Sequence, residues 1–250
     1  MSLEACRALV ERADPDRFAA AELAPEAAQR VLWPLYAMNV EVSRAPWVTK
    51  EPMIAEMRLQ WWRDALEEIA DGKPVRAHEV TTALSVAIGT DEARRLDSLV
   101  SARRWDIYPD AFEDELDLLS YLDQTTGCLM GAGATALGAP MEVLPNVVLY
   151  GRGVGLARFL QAAPELEARG KHPLVDGRPE GIAALCYQVL QSMPSLGALK
   201  RELGPQAAPV LREGWQARGV LKQAIANPTR VAEGALGLSE FGKRWRLLLS

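Results

Sequence analysis

The chain has 250 residues, and 28 Lys and Arg against 33 Asp and Glu leave it at −5. With 49% hydrophobic and 24% charged residues its composition is that of a globular protein, which excludes collagenous, disordered and disulfide-scaffold readings. The acidic balance and the lack of a long Lys/Arg run remove the electrostatic footprint that a nucleic-acid partner requires.

A chain of this length can bury one large core, so a single domain over 1–250 is expected. The opening MSLEACRALVERADPDRF mixes acids with short apolar runs and matches neither a secretory signal nor an Arg-rich transit peptide, so the mature chain is expected to begin at Met1. Apolar residues recur at three- and four-residue steps with no run of period-two alternation, which predicts an all-α fold. After Asp14-Pro15-Asp16 a helix is predicted over 25–44, with Pro25 in its first turn and Pro46 beyond its end. The next covers 51–70, where Ile54, Met57, Trp61, Trp62, Leu66 and Ile69 form a wide apolar face and Asp71-Gly72-Lys73-Pro74 stops the helix. Shorter helices follow near 77–88 and 91–105, and Ile107-Tyr108-Pro109-Asp110 breaks the pattern. Two weakly charged helices near 113–137 and 142–161, joined by Gly138-Ala139-Pro140, are placed at the centre. Residues 164–179 read as loop, and 180–250 as two or three helices punctuated by Pro194, Gly204-Pro205 and Asn227-Pro228. The basic and apolar run 243–249 reads first as a terminal helix laid on the domain, and second as a docking segment for a membrane surface or partner.

The uncharged stretch 124–141 is too rich in Gly, Ala and Thr for a membrane span, and Gly127-x-x-x-Gly131 predicts instead a close helix approach. Cys6, Cys128 and Cys186 lack the spacing of a zinc site or a disulfide framework, which fits a reducing compartment. With only His78 and His172, no multi-His metal site can form, and both read as loop or helix-end residues. Gly151-Arg152-Gly153-Val154-Gly155 lacks both the third glycine position and the preceding strand of a dinucleotide fingerprint, so these glycines are expected to relieve crowding between helices. Asp106, Asp110 and Asp114 recur at four-residue steps, but Pro109 interrupts them and a solvated helix start is expected. Asp64 and Glu68 are expected on a polar outer face.

Several runs together carry a resemblance. They are Asp14-Pro15-Asp16-Arg17-Phe18, Leu35-Tyr36-Ala37-Met38-Asn39-Val40-Glu41, Glu56-Met57-Arg58-Leu59-Gln60-Trp61-Trp62-Arg63, Tyr121-Leu122-Asp123-Gln124-Thr125-Thr126-Gly127 and Tyr150-Gly151-Arg152-Gly153-Val154-Gly155-Leu156-Ala157. In order and content the set resembles the squalene/phytoene synthase family, over 14 to about 175. The resemblance implies an isoprenoid-synthase-like helical bundle around a central cavity. In active members, aspartate-rich helical motifs hold Mg²⁺ against the leaving diphosphate.

Here the first motif is replaced by Asn39-Val40-Glu41-Val42-Ser43-Arg44, and the second position, Arg158-Phe159-Leu160-Gln161-Ala162-Ala163, has no acid. Glu165 and Glu167 are expected to follow the end of the helix at Pro164. What the resemblance then implies is a divergent, non-catalytic branch that includes a respiratory complex I assembly factor. Its role would be assembly or scaffolding, with a respiratory-complex subunit as partner and a prenyl or other lipid as ligand. Tyr36, Asn39, Glu41, Tyr121, Gln124, Arg152 and Arg158 are the expected cavity residues, and Arg44, Arg152 and Arg158 the expected anion ligands. Arg58 and Arg63 are expected to bind helix ends or acids near Trp61 and Trp62. No catalytic residue, cofactor or metal is expected, nor nucleic acid. The place is the cytoplasm, at most peripheral at the inner membrane. The alternative is a Mg²⁺-dependent head-to-head prenyltransferase, with Glu41 and Asn39 as residual metal ligands.

Overall fold

The computed structural model describes residues 2–238 and Gly242, so the run 243–249 singled out above lies outside the described residues. Among the described residues all regular secondary structure is helical. The helices are α1 Ser2–Ala13, α2 Pro15–Glu22, α3 Glu26–Arg44, α4 Pro52–Ala70, α5 Glu79–Ala87, α6 Thr90–Ala102, α7 Glu115–Leu122, α8 Cys128–Ala136, α9 Leu144–Ala168, α10 Pro179–Ser192, α11 Leu196–Ala207, α12 Ala217–Ala226 and α13 Thr229–Ala232. The all-α expectation is met. Two helices before residue 25 had no counterpart in the sequence reading.

Local chemistry sets many of the boundaries. Asp14 caps α2, its side chain accepting the Arg17 N–H at 3.0 Å, with Pro15 in the first turn where no N–H is needed. Asp114 caps α7 through the Asp117 N–H at 2.9 Å, and His78 caps α5 through the Val80 N–H at 3.2 Å. Thus Asp114 sits at a helix start as expected, whereas Asp106 does not: it is buried, 5% exposed, in the short 3₁₀ turn Arg103–Asp106. Asp64 and Glu68 gather Arg76, whose guanidinium bonds Glu68 at 2.7 Å, and Arg63 forks onto Asp97 at 2.7 and 3.1 Å.

The least charged helices form the centre, as predicted from their composition. α9 is the axis, packed on α8, α12 and a π-helical turn, Asp123–Gly127, that joins α7 to α8. Small residues allow this closeness: a Cβ on Gly151 would stand 2.7 Å from the Gly127 Cα, and one on Gly155 would stand 3.1 Å from Thr126. Leu160, Ala163 and Phe159 are buried on α9. The helix does not end at Pro164 but runs on to Ala168. Proline removes one hydrogen bond, and the packing of this central helix offsets that loss. All three cysteines are free and buried, and burial pushes their thiols up to about 12. No single helix among the described residues is long and apolar enough to cross a membrane.

Candidate functional site

A cavity of about 610 Å³ opens between α2, α3, the Arg103–Asp106 turn, the π-helical turn and α9. Each wall follows from helix phase. On α3, Asn39, Val40, Ser43 and Arg44 share the face turned inward, and on α9 it is Gly155, Arg158, Phe159 and Ala162. The π-helical turn directs Thr125 and Thr126 at the cavity, and Trp47 lies along its wall beyond α3.

The polar groups are organised as ion pairs. Arg17 is buried and bonds Glu213 at 2.5 Å and Asp14 at 2.7 Å, and Arg158 reaches the same Asp14 at 3.0 Å. Burial alone raises the Asp14 carboxyl, but the charges of Arg158 and Arg17 outweigh it and hold the group below the ordinary carboxylate range. On the opposite wall Asp106 accepts the Tyr121 O–H at 2.9 Å and pairs with Arg103 at 3.2 Å, while Arg103 also donates to the Tyr121 oxygen at 2.9 Å. Burial lifts the Tyr121 hydroxyl above its usual range, so it stays protonated. Glu165, carried to the cavity because α9 continues past Pro164, pairs with Arg169 at 2.5 Å. The guanidinium of Arg169 also lies 4.7 Å from the Trp47 ring centroid.

Of the seven residues expected to line the cavity, Asn39, Tyr121 and Arg158 do. Tyr36 stands one layer behind, buried, with Arg17 stacked 5.6 Å from its ring centroid. Besides Tyr36, three more expectations are corrected. Glu41 is roughly 200° around α3 from Asn39 and does not reach the cavity. Gln124 is exposed on the outer side of the π-helical turn and donates to the Ser120 hydroxyl at 2.8 Å. Arg152, roughly 240° around α9 from Arg158, forks onto Asp123 at 2.8 and 2.5 Å. Of the three expected anion ligands, then, Arg152 is outside the cavity and Arg158 is engaged by Asp14. Only Arg44, exposed at the mouth, makes no ion pair among the described residues.

Sequence reasoning missed Asp14, Arg17, Arg103, Asp106, Glu165 and Arg169 as cavity residues. For Asp14 a signal existed: an Asp-Pro step is a helix N-cap as readily as a loop. For Asp106 the four-residue spacing with Asp110 and Asp114 is a signal, though it points to a solvated helix start, whereas Arg103 gives none, because a 3₁₀ turn carries no periodicity.

The donor set does not suit a divalent cation. Magnesium needs carboxylate oxygens free to coordinate it, and here Asp14, Asp106 and Glu165 are each bonded to arginine. Among the described residues no three His, Cys, Asp or Glu side chains gather in a metal-holding group.

Comparison with known proteins agrees with this architecture. The squalene/phytoene synthase family model matches residues 10–232. Assembly factor 6 homolog of NADH dehydrogenase (ubiquinone) complex I from Drosophila melanogaster is 32% identical over 178 residues, covering 68% of this chain and 53% of that protein. Assembly factor 6 of the same complex from Mus musculus is 24% identical over 166 residues, covering 66% of this chain and 50% of that one. The chain thus spans about half the length of the curated relatives it matches. A crystal structure of a dehydrosqualene synthase in complex with ligand superposes with a TM-score of 0.76 over 99% of this chain and 94% of that one. At 15% identity that likeness shows the fold alone.

Proposed function

The chain belongs to the squalene/phytoene synthase family, and on that premise we propose that it is a non-catalytic member acting in the assembly of a respiratory complex of the NADH dehydrogenase type. The observation that carries this reading is the pairing of every cavity carboxylate with an arginine. Prenyl transfer in this fold depends on stabilising a departing diphosphate. A site whose acids are already neutralised supplies no cradle for the metal that does so. The names of the two curated relatives support the assembly role. The partner is then a subunit or intermediate of that complex, and the protein works in the cytoplasm, at most at the membrane surface.

The cavity itself is retained, and its shape and partly apolar wall support lipid binding. A volume of about 610 Å³ is that of a small-molecule site, and Val40, Leu122, Phe159 and Leu166 offer hydrocarbon-compatible surface. Asn39 is 4% exposed, faces the cavity and has no side-chain hydrogen-bond partner, an arrangement that a bound polar group would complete.

Two measurements test the proposal. Purified protein incubated with farnesyl or geranylgeranyl diphosphate and Mg²⁺ releases no pyrophosphate and forms no hydrocarbon. Deleting the protein lowers assembled NADH dehydrogenase and leaves carotenoid and hopanoid levels unchanged. Metal-dependent turnover, or a loss of isoprenoid hydrocarbons with intact complex, rejects the reading in favour of a head-to-head prenyltransferase.

A further inference from the structure

The deep part of the cavity is electrically balanced by its own side chains. Arg17, Arg103 and Arg158 face it, and Asp14, Asp106 and, behind Arg17, Glu213 answer them. The ammonium of Lys171 is near, 4.4 Å from the Trp105 ring centroid and 5.9 Å from that of Trp47. It donates to the Trp105 and Tyr108 carbonyls and does not line the cavity. The cation left without an ion pair among the described lining residues, Arg44, is at the exposed mouth.

Among the described lining residues one charged donor, the Arg103 Nε–H, is buried without a partner, and two uncharged side chains make no hydrogen bond. The Asn39 carboxamide and the Thr126 hydroxyl belong to residues 4% and 7% exposed, and neither side chain has a hydrogen-bond partner. Each can donate and accept at once. A diphosphate entering here brings several negative charges. With Arg17, Arg103 and Arg158 each already paired with a carboxylate, only the Arg103 Nε–H buried and unbonded, and no metal cradle, it either pulls arginines from their carboxylates or stays largely uncompensated in a medium of low dielectric, and both are costly. A neutral hydroxyl or carbonyl demands only the reciprocal donor and acceptor that Asn39 and Thr126 present to the cavity.

Resting on the reading of this cavity as a lipid site, we propose that its ligand is a lipid with an uncharged hydroxyl or carbonyl head, held by Asn39 and Thr126 without metal. The head sits at the floor between α3 and the π-helical turn, and the chain runs along Phe159 and Leu166 toward Trp47.

The test titrates the full chain with farnesol, a prenylated benzoquinone, and farnesyl diphosphate with and without Mg²⁺, following tryptophan fluorescence because Trp47 lies on the cavity wall. Farnesol or the benzoquinone binds at least about tenfold more tightly than the diphosphate, with no dependence on Mg²⁺. Whichever of the two binds better identifies the head group, and either result supports the assignment. Asn39→Leu, close in volume, weakens the neutral ligand by about tenfold or more, because the group it served loses its partner. Asp14→Asn keeps an oxygen to cap α2 and releases the guanidinium of Arg158, so it strengthens binding of the diphosphate by roughly tenfold. A wild-type preference for the diphosphate, a Mg²⁺-dependent gain, or an Asn39→Leu variant that binds farnesol unchanged overturns the neutral-head assignment and leaves the lipid cavity standing. Failure of all three ligands to bind removes the lipid cavity itself.

Discussion

At the scale of single residues, Asp14 does two jobs that a sequence shows only in part. As a helix cap it is legible, because Asp before Pro at the start of an apolar run is a recognisable pattern. As a counter-ion it is not, because Arg158 is 144 positions away and only tertiary structure joins them. The second job sets an acid dependence. The groups facing Asp14 are Arg17 on α2 and Arg158 on α9, with Glu213 and Tyr36 beyond Arg17. Its folded-state carboxyl titrates below its unfolded value of 3.8, so the stabilisation is fully present above that value and is lost as pH falls through the lower, folded-state value. Its size is on the order of 2 kcal/mol. Urea unfolding measured from neutral to acid pH therefore shows wild-type stability falling in this window, and the Asp14→Asn variant shows a flatter curve from a lower plateau. The cavity residues that the sequence did reveal, Asn39, Tyr121 and Arg158, were carried by motif resemblance. Glu41, Gln124 and Arg152 stood in the same motifs and failed on helix rotation, which motifs alone do not fix.

At the scale of elements, helical periodicity located α3 and α4 to within a residue or two, because both have broad apolar faces and clear stops. It shortened α9, because Pro164 reads as an end. α3 carries Pro34 in its interior as well, so in this molecule proline is a poor stop wherever the helix is held from several sides. The misplaced end also hid Glu165 and Arg169 from the site. What glycine spacing does read well is the close approach where α9 crosses the π-helical turn. The Gly151 approach is backbone against backbone, 2.7 Å from an added Cβ to the Gly127 Cα, whereas the Gly153 approach is to the flexible side chain of Met193. Gly151→Ala accordingly destabilises by about 1–3 kcal/mol or more. Gly153→Ala costs less, since methionine can repack. Thermal unfolding of the two variants side by side checks the order, and because Thr126 rides on the same turn, Gly151→Ala also weakens ligand binding in the cavity.

At the scale of the whole molecule, the all-α class was legible, since no segment alternates with period two and the glycines fall where helices cross. The sign of the cavity was not. A chain with net charge −5 surrounds its interior with arginines, and it does so by pairing residues from opposite ends of the sequence, Arg17 with Glu213 being 196 positions apart. If the cavity is metal-free, as proposed, the bundle's stability depends on what fills the cavity and does not depend on divalent ions. A ligand that binds only the folded state adds about 2.7 kcal/mol at a hundredfold excess over its Kd. For a chain of this size that corresponds to a rise of roughly 5–10 °C in melting temperature. Farnesol at that concentration should produce such a rise, while EDTA should leave the melting temperature where it was. A fall on chelation would mean that an ion ties the helices together after all. It would do so through carboxylates that first have to abandon Arg17, Arg103 and Arg158, and the Asp14→Asn variant, lacking one such carboxylate, would then respond less to chelation than the wild type.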